Sequence, residues 1–308
     1  MKIVQEMVKL FFIYLLVVTC IILFVLVPRT PNLELSGGWA GVMKYDYSFS
    51  LADYKNNVVG YLSQVVETKS LGPTKWKTRS VEDELLKFVP KSMLVVFLGL
   101  FLCLLFGVLK GIYDFRKTNT KQNLFGNGTT WLFQSIPDYF IIICVIWIVY
   151  FKLPFTILGD EDWYKFIAPG ILVSIAPSFY VARLTSVSLL SQKDEPHIQV
   201  AFSKGFTEKL VLYRHMFKQC IITVSGYLPS VMVFLLSNLL VVEYLLAYEG
   251  AAYRLFSAIG YSNFISPSML ARKVDESGLI IGISICFLLF VMVAHIASRL
   301  IKLKLEPK

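Results

Sequence analysis

The chain has little charge and almost no histidine. Asp, Glu, Lys and Arg make up 17% of its 308 residues, apolar residues 56%, and there are three histidines. With a mean hydropathy of +0.63, so few charges exclude an ordinary water-soluble domain. The five cysteines, Cys20, Cys103, Cys144, Cys220 and Cys286, lie in or beside apolar runs, and none falls in the long stretch 28–91. That excludes a disulfide framework and a zinc spacing, leaving small apolar residues. His197, His215 and His295 share no ligand spacing, which argues against a metal held by this chain. The phosphate-binding pattern GxxxxGK followed by Ser or Thr is missing, so nucleotide binding is not expected here. No internal repeat or low-complexity tract is present.

What fills the chain is apolar runs. Crossing the hydrocarbon core takes roughly 17–25 apolar residues. Six candidates stand out: Leu10–Val27, Met93–Val108 with its flanks, Ile136–Phe151, Ile167–Ala182, Cys220–Val242 and Leu279–Ala297. Pro169 and Pro177 interrupt the fourth. The expected fold is all-α, a polytopic membrane protein with six spans. Lys2 and Lys9 precede the first run as in a secretory signal, but Val27-Pro28-Arg29 lacks the small residues of a cleavage site, so a retained helix is expected.

Charge gives the orientation. The short loops 110–138 and 183–218 are basic, whereas 152–165 holds Asp160, Glu161 and Asp162. The positive-inside rule then puts both termini and the 183–218 loop in the cytoplasm. The net charge of +9 reads as this topology signal rather than as a nucleic-acid face, which would need clustered basic residues on a soluble surface.

Residues 28–91 are expected to form a small extracytoplasmic cap. They carry Gly37-Gly38, Trp39 and amphipathic pieces around Ala52–Val66 and Val81–Val89 that suggest short helices. The division is therefore 1–90, a first helix with its cap, and 91–308, a five-helix core. The inner loop 114–130 ends in Gly126-Asn127-Gly128, read as a flexible turn. The stretch 244–277, with Gly250, Gly260 and Pro267, has room for a re-entrant or surface helix.

The run Asp194–Lys218 interrupts the apolar pattern. Asp194 suits an N-cap, with Glu195 and Pro196 in the first turn. A helix is expected to about Lys204, with Gly205 in a left-handed C′ position. Thr207 suits a second cap, with Phe206 and Val211 placed as a hydrophobic staple. This second helix carries Lys209, Arg214, His215 and Lys218. The segment reads either as a solvated inner loop or as a rigid knob that docks a partner.

A resemblance separates the two. Gln199-Val200-Ala201, Phe202-Ser203-Lys204 and Gly205 resemble the cytoplasmic signature loop of permease subunits in binding-protein-dependent ABC importers. Ser203-Lys204-Gly205, Val211 and Arg214-His215 resemble its dipeptide, oligopeptide and nickel branch. So do Leu71-Gly72, Val81 and Pro90 before the second span, Gln134-Ser135-Ile136-Pro137 at the third, and Ala182-Arg183-Leu184 closing the fourth. Val242-Glu243, Gly250, Arg254-Leu255 and Ala258-Ile259 resemble the outer end of the fifth. Three positions depart from the pattern: Phe202 stands for the usual Arg, Glu249-Gly250 for Pro-Gly, and Pro28-Arg29-Thr30 replaces a Pro-Gly-Asp.

The resemblance implies a MetI-like core and a permease that is not itself an enzyme. It implies two ATPase subunits that bind ATP and Mg, a second homologous permease, and an extracytoplasmic substrate-binding protein that meets 28–91 and 244–277. Glu195, Gln199, Ala201, Phe202, Ser203, Lys204, Gly205 and Thr207 would couple to an ATPase, with small packed residues at the corner. Glu243 is a candidate contact for a cationic substrate end or a gate, or an interfacial carboxylate in water. Pro177 and Pro229 are expected to kink the fourth and fifth spans, as hinges or as ordinary structure. Asp138 reads as a helix N-terminal acid. An intramembrane enzyme lacks its paired acids or Ser/His set, and an exporter fits the signature poorly. A non-transporting sensor or anchor derived from such a permease stays open.

Overall fold

The computed structural model describes residues 2–28, 32–36, 42–46, 49–74, 79–118, 123–152, 162, 164–259 and 276–305. The sequence features at Arg29-Thr30, Gly37-Gly38, Trp39, Asp160, Glu161, Gly260 and Pro267 lie outside these residues. The chain divides into two compact units, Met1–Leu86 with Ser257–Cys286 and Lys87–Phe256 with Phe287–Lys308.

The first unit opens with α1 (Lys2–Val25), whose residues Val8–Val25 form a membrane-length apolar run. Phe11, Leu16 and Phe24 are exposed on it, as a lipid-facing helix requires. Strands β1 (Asn32–Ser36) and β2 (Val42–Asp46) pair antiparallel, with Glu34 opposite Lys44. The cap was expected to hold short helices; this hairpin adds strands that the expectation did not include. Helix α2 (Leu51–Thr68) is the helix expected around Ala52–Val66; Ser50 caps it by accepting from the Asp53 N–H at 3.2 Å. The Tyr54 hydroxyl donates to the Leu23 carbonyl at 2.9 Å, satisfying a C-terminal carbonyl of α1.

Helix α3 (Val81–Lys117) starts on a reciprocal capping box. The Asp83 N–H donates to the Ser80 hydroxyl at 3.2 Å, and the Ser80 N–H to the Asp83 carboxylate at 3.3 Å. Val81–Val89 is thus no separate piece: the helix runs on through Pro90. The last helix, α12 (Ser277–Leu305), begins against the same region. A side chain at Gly278 would collide with the Leu71 carbonyl, so only glycine fits there.

In the second unit the middle of α3 crosses α6 (Ile167–Gln192) closely. A Cβ at Gly107 would come within 2.6 Å of the Val181 side chain, and one at Gly111 within 2.5 Å of Thr185. Between them the chain makes a first π-type turn (Leu124–Gly128), interrupted where Gly126 leaves helical geometry at φ −86°, ψ −109°, then α4 (Thr129–Ser135) and α5 (Asp138–Lys152). The two arms, Leu124–Ser135 and Asp138–Lys152, bend by 99°. The break follows from Pro137, which pushes Ile136 to an extended φ −90°, ψ 133°. At about 1.5 Å per residue, the 15-residue α5 is shorter than the expected third span. Asp138 accepts from the Tyr139 N–H at 3.0 Å, as an N-terminal acid should.

After α6 come α7 (Pro196–Ser203), α8 (Glu208–Val211), a second π-helical turn (Leu212–Met216), α9 (Phe217–Gly226), α10 (Leu228–Leu245) and α11 (Ala251–Ile259). The fifth span is therefore two helices, broken at Tyr227. The core runs through Val173, Val181, Leu189, Leu235, Leu239 and Val242, all fully buried. Among the described residues, five helices are long and apolar enough to cross a membrane, and the bent pair makes up to six.

Candidate functional site

The polar interruption folds as a helix, a corner and a second helix. Glu195, not Asp194, is the N-cap residue of α7, with ψ 138° and Pro196 in the first turn. Asp194 instead offers its carbonyl to the Gln199 amide at 3.1 Å. At the other end Gly205 has φ +80°. The Gly205 N–H donates to the Phe202 carbonyl at 2.9 Å and the Phe206 N–H to the Ala201 carbonyl at 3.3 Å. This is the Schellman pair of bonds, which needs a left-handed residue between them. Thr207 occupies the next N-cap position without a side-chain capping bond.

Burial divides the expected docking residues. Ile198 is fully buried and Ala201 is 5% exposed, both within the main core. Burying one such isoleucine contributes about 1.5–3 kcal/mol, so α7 is anchored rather than loosely tethered. Glu195, Gln199, Phe202, Ser203, Lys204, Gly205 and Thr207 are exposed. Ala201 therefore sits apart from them, as packing. Gly205 also differs from the expected packed corner: a Cβ there would meet nothing within 4 Å. The glycine is required by its φ, not by space. Phe206 stacks on His215 at 6.2 Å between ring centroids, tying the corner to the second π-helical turn.

A second cluster lies at the end of α10. Glu243, expected as a substrate contact, a gate or an interfacial carboxylate in water, is fully buried in this chain, which departs from the water-exposed expectation. Its Oε1 accepts from the Ser92 hydroxyl at 2.5 Å, and its Oε2 accepts from the N–H groups of Ala252 at 2.9 Å and Tyr253 at 3.1 Å. Ser92 in turn accepts from the Ala251 N–H at 2.7 Å. The carboxylate thus satisfies the orphan donors that open α11, where the helix dipole also favours negative charge. A side chain at Gly250 would collide with this carboxylate, so the glycine of the sequence pattern is a steric necessity. Pro177 lies buried inside α6, which continues through it. Pro229 falls in the first turn of α10, and the fifth span breaks just before it at Tyr227, since proline has no N–H to continue the preceding turn.

The matching family is the binding-protein-dependent transport system inner membrane component, whose model covers residues 90–306. The chain belongs to that family. The oligopeptide transport system permease protein OppB of Escherichia coli strain K12 is 26% identical over 189 residues, 59% of this chain and 61% of OppB. The glutathione transport system permease protein GsiC of Pectobacterium atrosepticum is 25% identical over 182 residues, 58% of this chain and 59% of GsiC. The match thus spans about three fifths of the length of these relatives. In three dimensions the chain is similar to a chain of the MetNI methionine ABC transporter in inward-facing conformations, with TM-score 0.56 and 13% identity over 72% of this chain and 96% of that one.

Within the family region, two features carry weight that the motifs did not reveal. Gly99, Cys103, Gly107 and Gly111 recur every four residues along α3. That is the small-residue spacing that lets membrane helices approach closely. The second is a clamp at the inner end of α3. Asp114 is fully buried and accepts from Lys110 and from the Thr130 hydroxyl at 2.5 Å. Lys110 also donates to the Gly126 carbonyl and the Thr130 hydroxyl, each at 3.1 Å. The Asn127 amide donates to the Thr118 hydroxyl at 3.0 Å. The Gly126–Gly128 turn, expected to be flexible, is tied to α3 through Lys110 and to Thr118 just beyond its end.

Proposed function

We propose that this chain is one permease subunit of an ATP-binding-cassette importer in a prokaryotic cell membrane, forming half of a path for peptides or a similar small solute. The observation that carries the proposal is the geometry of α7: Ile198 anchors it in the core, its opposite face is exposed, and a left-handed glycine ends it. A helix held this way transmits a push on its exposed face to the spans it is packed on. Two ATPase subunits bind ATP and Mg on the cytoplasmic side and hydrolyse it; this chain supplies no catalysis. Closure of the ATPases moves α7 and rocks the attached helices, giving alternating access.

The names of the relatives support a peptide cargo, and the basic short loops support cytoplasmic termini. The partners are a second, homologous permease in a heterodimer and an extracytoplasmic binding protein that meets 28–91 and 244–277. Residues 1–90 serve as helix and cap, 91–308 as the permease core with the docking segment 194–218. Glu243 acts on the outer end of the path by holding α11 in place, while Pro177 and Pro229 shape the spans that rock. Co-purification with two ATPase subunits, followed by ATP-driven uptake of an oligopeptide in proteoliposomes, is the expected result. ATPase association without uptake of any solute would instead make the chain an anchor or sensor.

A further inference from the structure

Helix α2 has no buried residue, although one side of it is apolar. At 3.6 residues per turn, that side has two edges. Tyr54, Val58, Tyr61 and Val65 form one and are half-buried; Leu51, Val59, Leu62 and Val66 form the other and are exposed. Leu51 is 72% exposed and Val66 76%. The acids of the helix, Asp53 and Glu67, lie on the opposite side with Asn56 and Gln64. Lys55 is the charged residue within the bare edge, and it too is exposed.

Two anchors set the level at which this helix lies. The Tyr54 hydroxyl bonds the Leu23 carbonyl at 2.9 Å, in the last turn of the apolar run of α1 that ends at Val25. Further along, the Tyr61 ring lies beside Gly278 at the start of α12, where a Cβ would stand 3.7 Å from it. The helix therefore runs between the ends of two spans, where hydrocarbon gives way to water. Phe24 of α1 is exposed, and the exposed Phe49 packs on Tyr54 with 6.2 Å between ring centroids. Apolar surface thus passes from α1 onto the first turn of α2, with aromatic rings at the boundary, where membrane proteins concentrate Trp and Tyr.

We propose that α2 is an interfacial helix, with Leu51, Val59, Leu62 and Val66 among the acyl chains of the extracytoplasmic leaflet and Lys55 on an anionic phospholipid headgroup. An apolar face with a basic residue is what such helices present to a bilayer. One cation and no acid on the bare edge match an anionic headgroup, and the lysine stem reaches it by lying along the apolar surface. The helix then ties the outer ends of α1 and α12 to the bilayer surface, leaving its polar side for a partner. The choice of leaflet rests on the cytoplasmic termini proposed above; the lipid contact does not.

The test uses the assembled transporter in nanodiscs of phosphatidylethanolamine and phosphatidylglycerol. A photoreactive benzophenone amino acid replaces Leu62, Phe24 or Asn56 in turn, and the adducts formed on illumination are identified by mass spectrometry. Positions 62 and 24 are expected to capture phospholipid, and position 56, on the polar side, about ten-fold less. Lys55→Glu should lower the adduct at 62 about five-fold in these discs, the effect of one basic residue at an anionic surface, and less in discs of phosphatidylcholine. Equal loss in both overturns the headgroup contact. Capture of the second permease or the binding protein at 62 overturns the proposal and names the true cover of this edge. Lipid at 24 but none at 62 puts the edge in water and overturns it as well. No lipid at 24 overturns the reading of α1 as a span, and the proposal with it. ATP-driven uptake by the same preparation reads the permease function separately.

Discussion

The Ser92 hydroxyl lies 2.5 Å from Oε1 of Glu243, across 151 residues of sequence. Through this pair and the backbone donors beyond it, α3, α10 and the start of α11 meet on a single carboxylate. Removing it orphans the N–H groups of Ala252 and Tyr253, and a buried unsatisfied donor costs about 1–3 kcal/mol. Glu243→Ala should therefore lower the thermal unfolding midpoint in detergent more than Glu243→Gln, which keeps one acceptor. Gly250→Ala should be damaging alone and add little to Glu243→Ala, because its clash is with the same side chain. Equal effects of Ala and Gln at 243 would mean that the carboxylate does not hold α11.

The α3–α6 crossing gives a second test. Gly107→Val places a branched side chain on Val181 and the Ser178 carbonyl. Overpacking of this kind costs typically about 1–3 kcal/mol, so folded yield and thermal midpoint should fall. Gly60→Ala in α2 is the control, since its Cβ would meet nothing within 4 Å. It should stabilise by about 0.5–1 kcal/mol, the helix-interior preference of alanine over glycine. Indifference at Gly107 would contradict the close crossing.

At the inner end of α3, Asp114→Ala leaves Lys110 without its counter-charge and Thr130 without its acceptor. Breaking a largely buried pair costs on the order of 3 kcal/mol. The turn at Gly126–Gly128 should become accessible to protease in intact membranes, with Thr130→Val giving a smaller effect. Unchanged cleavage would show that the clamp is dispensable.

The spans were legible in the sequence because hydropathy is a property of composition and survives any arrangement of neighbours. The Schellman corner was legible because Gly205 is a local signal, set by four or five adjacent residues. The cap moved one residue, from Asp194 to Glu195, because either backbone can turn there and Pro196 decides it. Glu243 was misread for the opposite reason. An acid at the end of an apolar run looks exposed, and its partners are Ser92, far away in sequence, and backbone donors that no side chain announces. The break at Tyr227 is marked in the sequence by Pro229, which lacks the N–H that would carry the helix through. The glycines of α3 were visible at a four-residue spacing, but their meaning lies in the helix they touch.

Docking through α7 is most directly measured at Gly205. A side chain at φ +80° is strained by about 1–2 kcal/mol, with no clash to confuse the result. In proteoliposomes holding the assembled transporter, Gly205→Glu should lower ATP-driven peptide uptake at least about one-hundred-fold, more than the roughly 5–30-fold that such strain corresponds to at one factor of ten per 1.4 kcal/mol, while Gly205→Asn, whose side chain tolerates the left-handed region, retains most of it. Uptake by Gly205→Glu at the unsubstituted rate, with ATPase subunits bound, would contradict coupling through this corner.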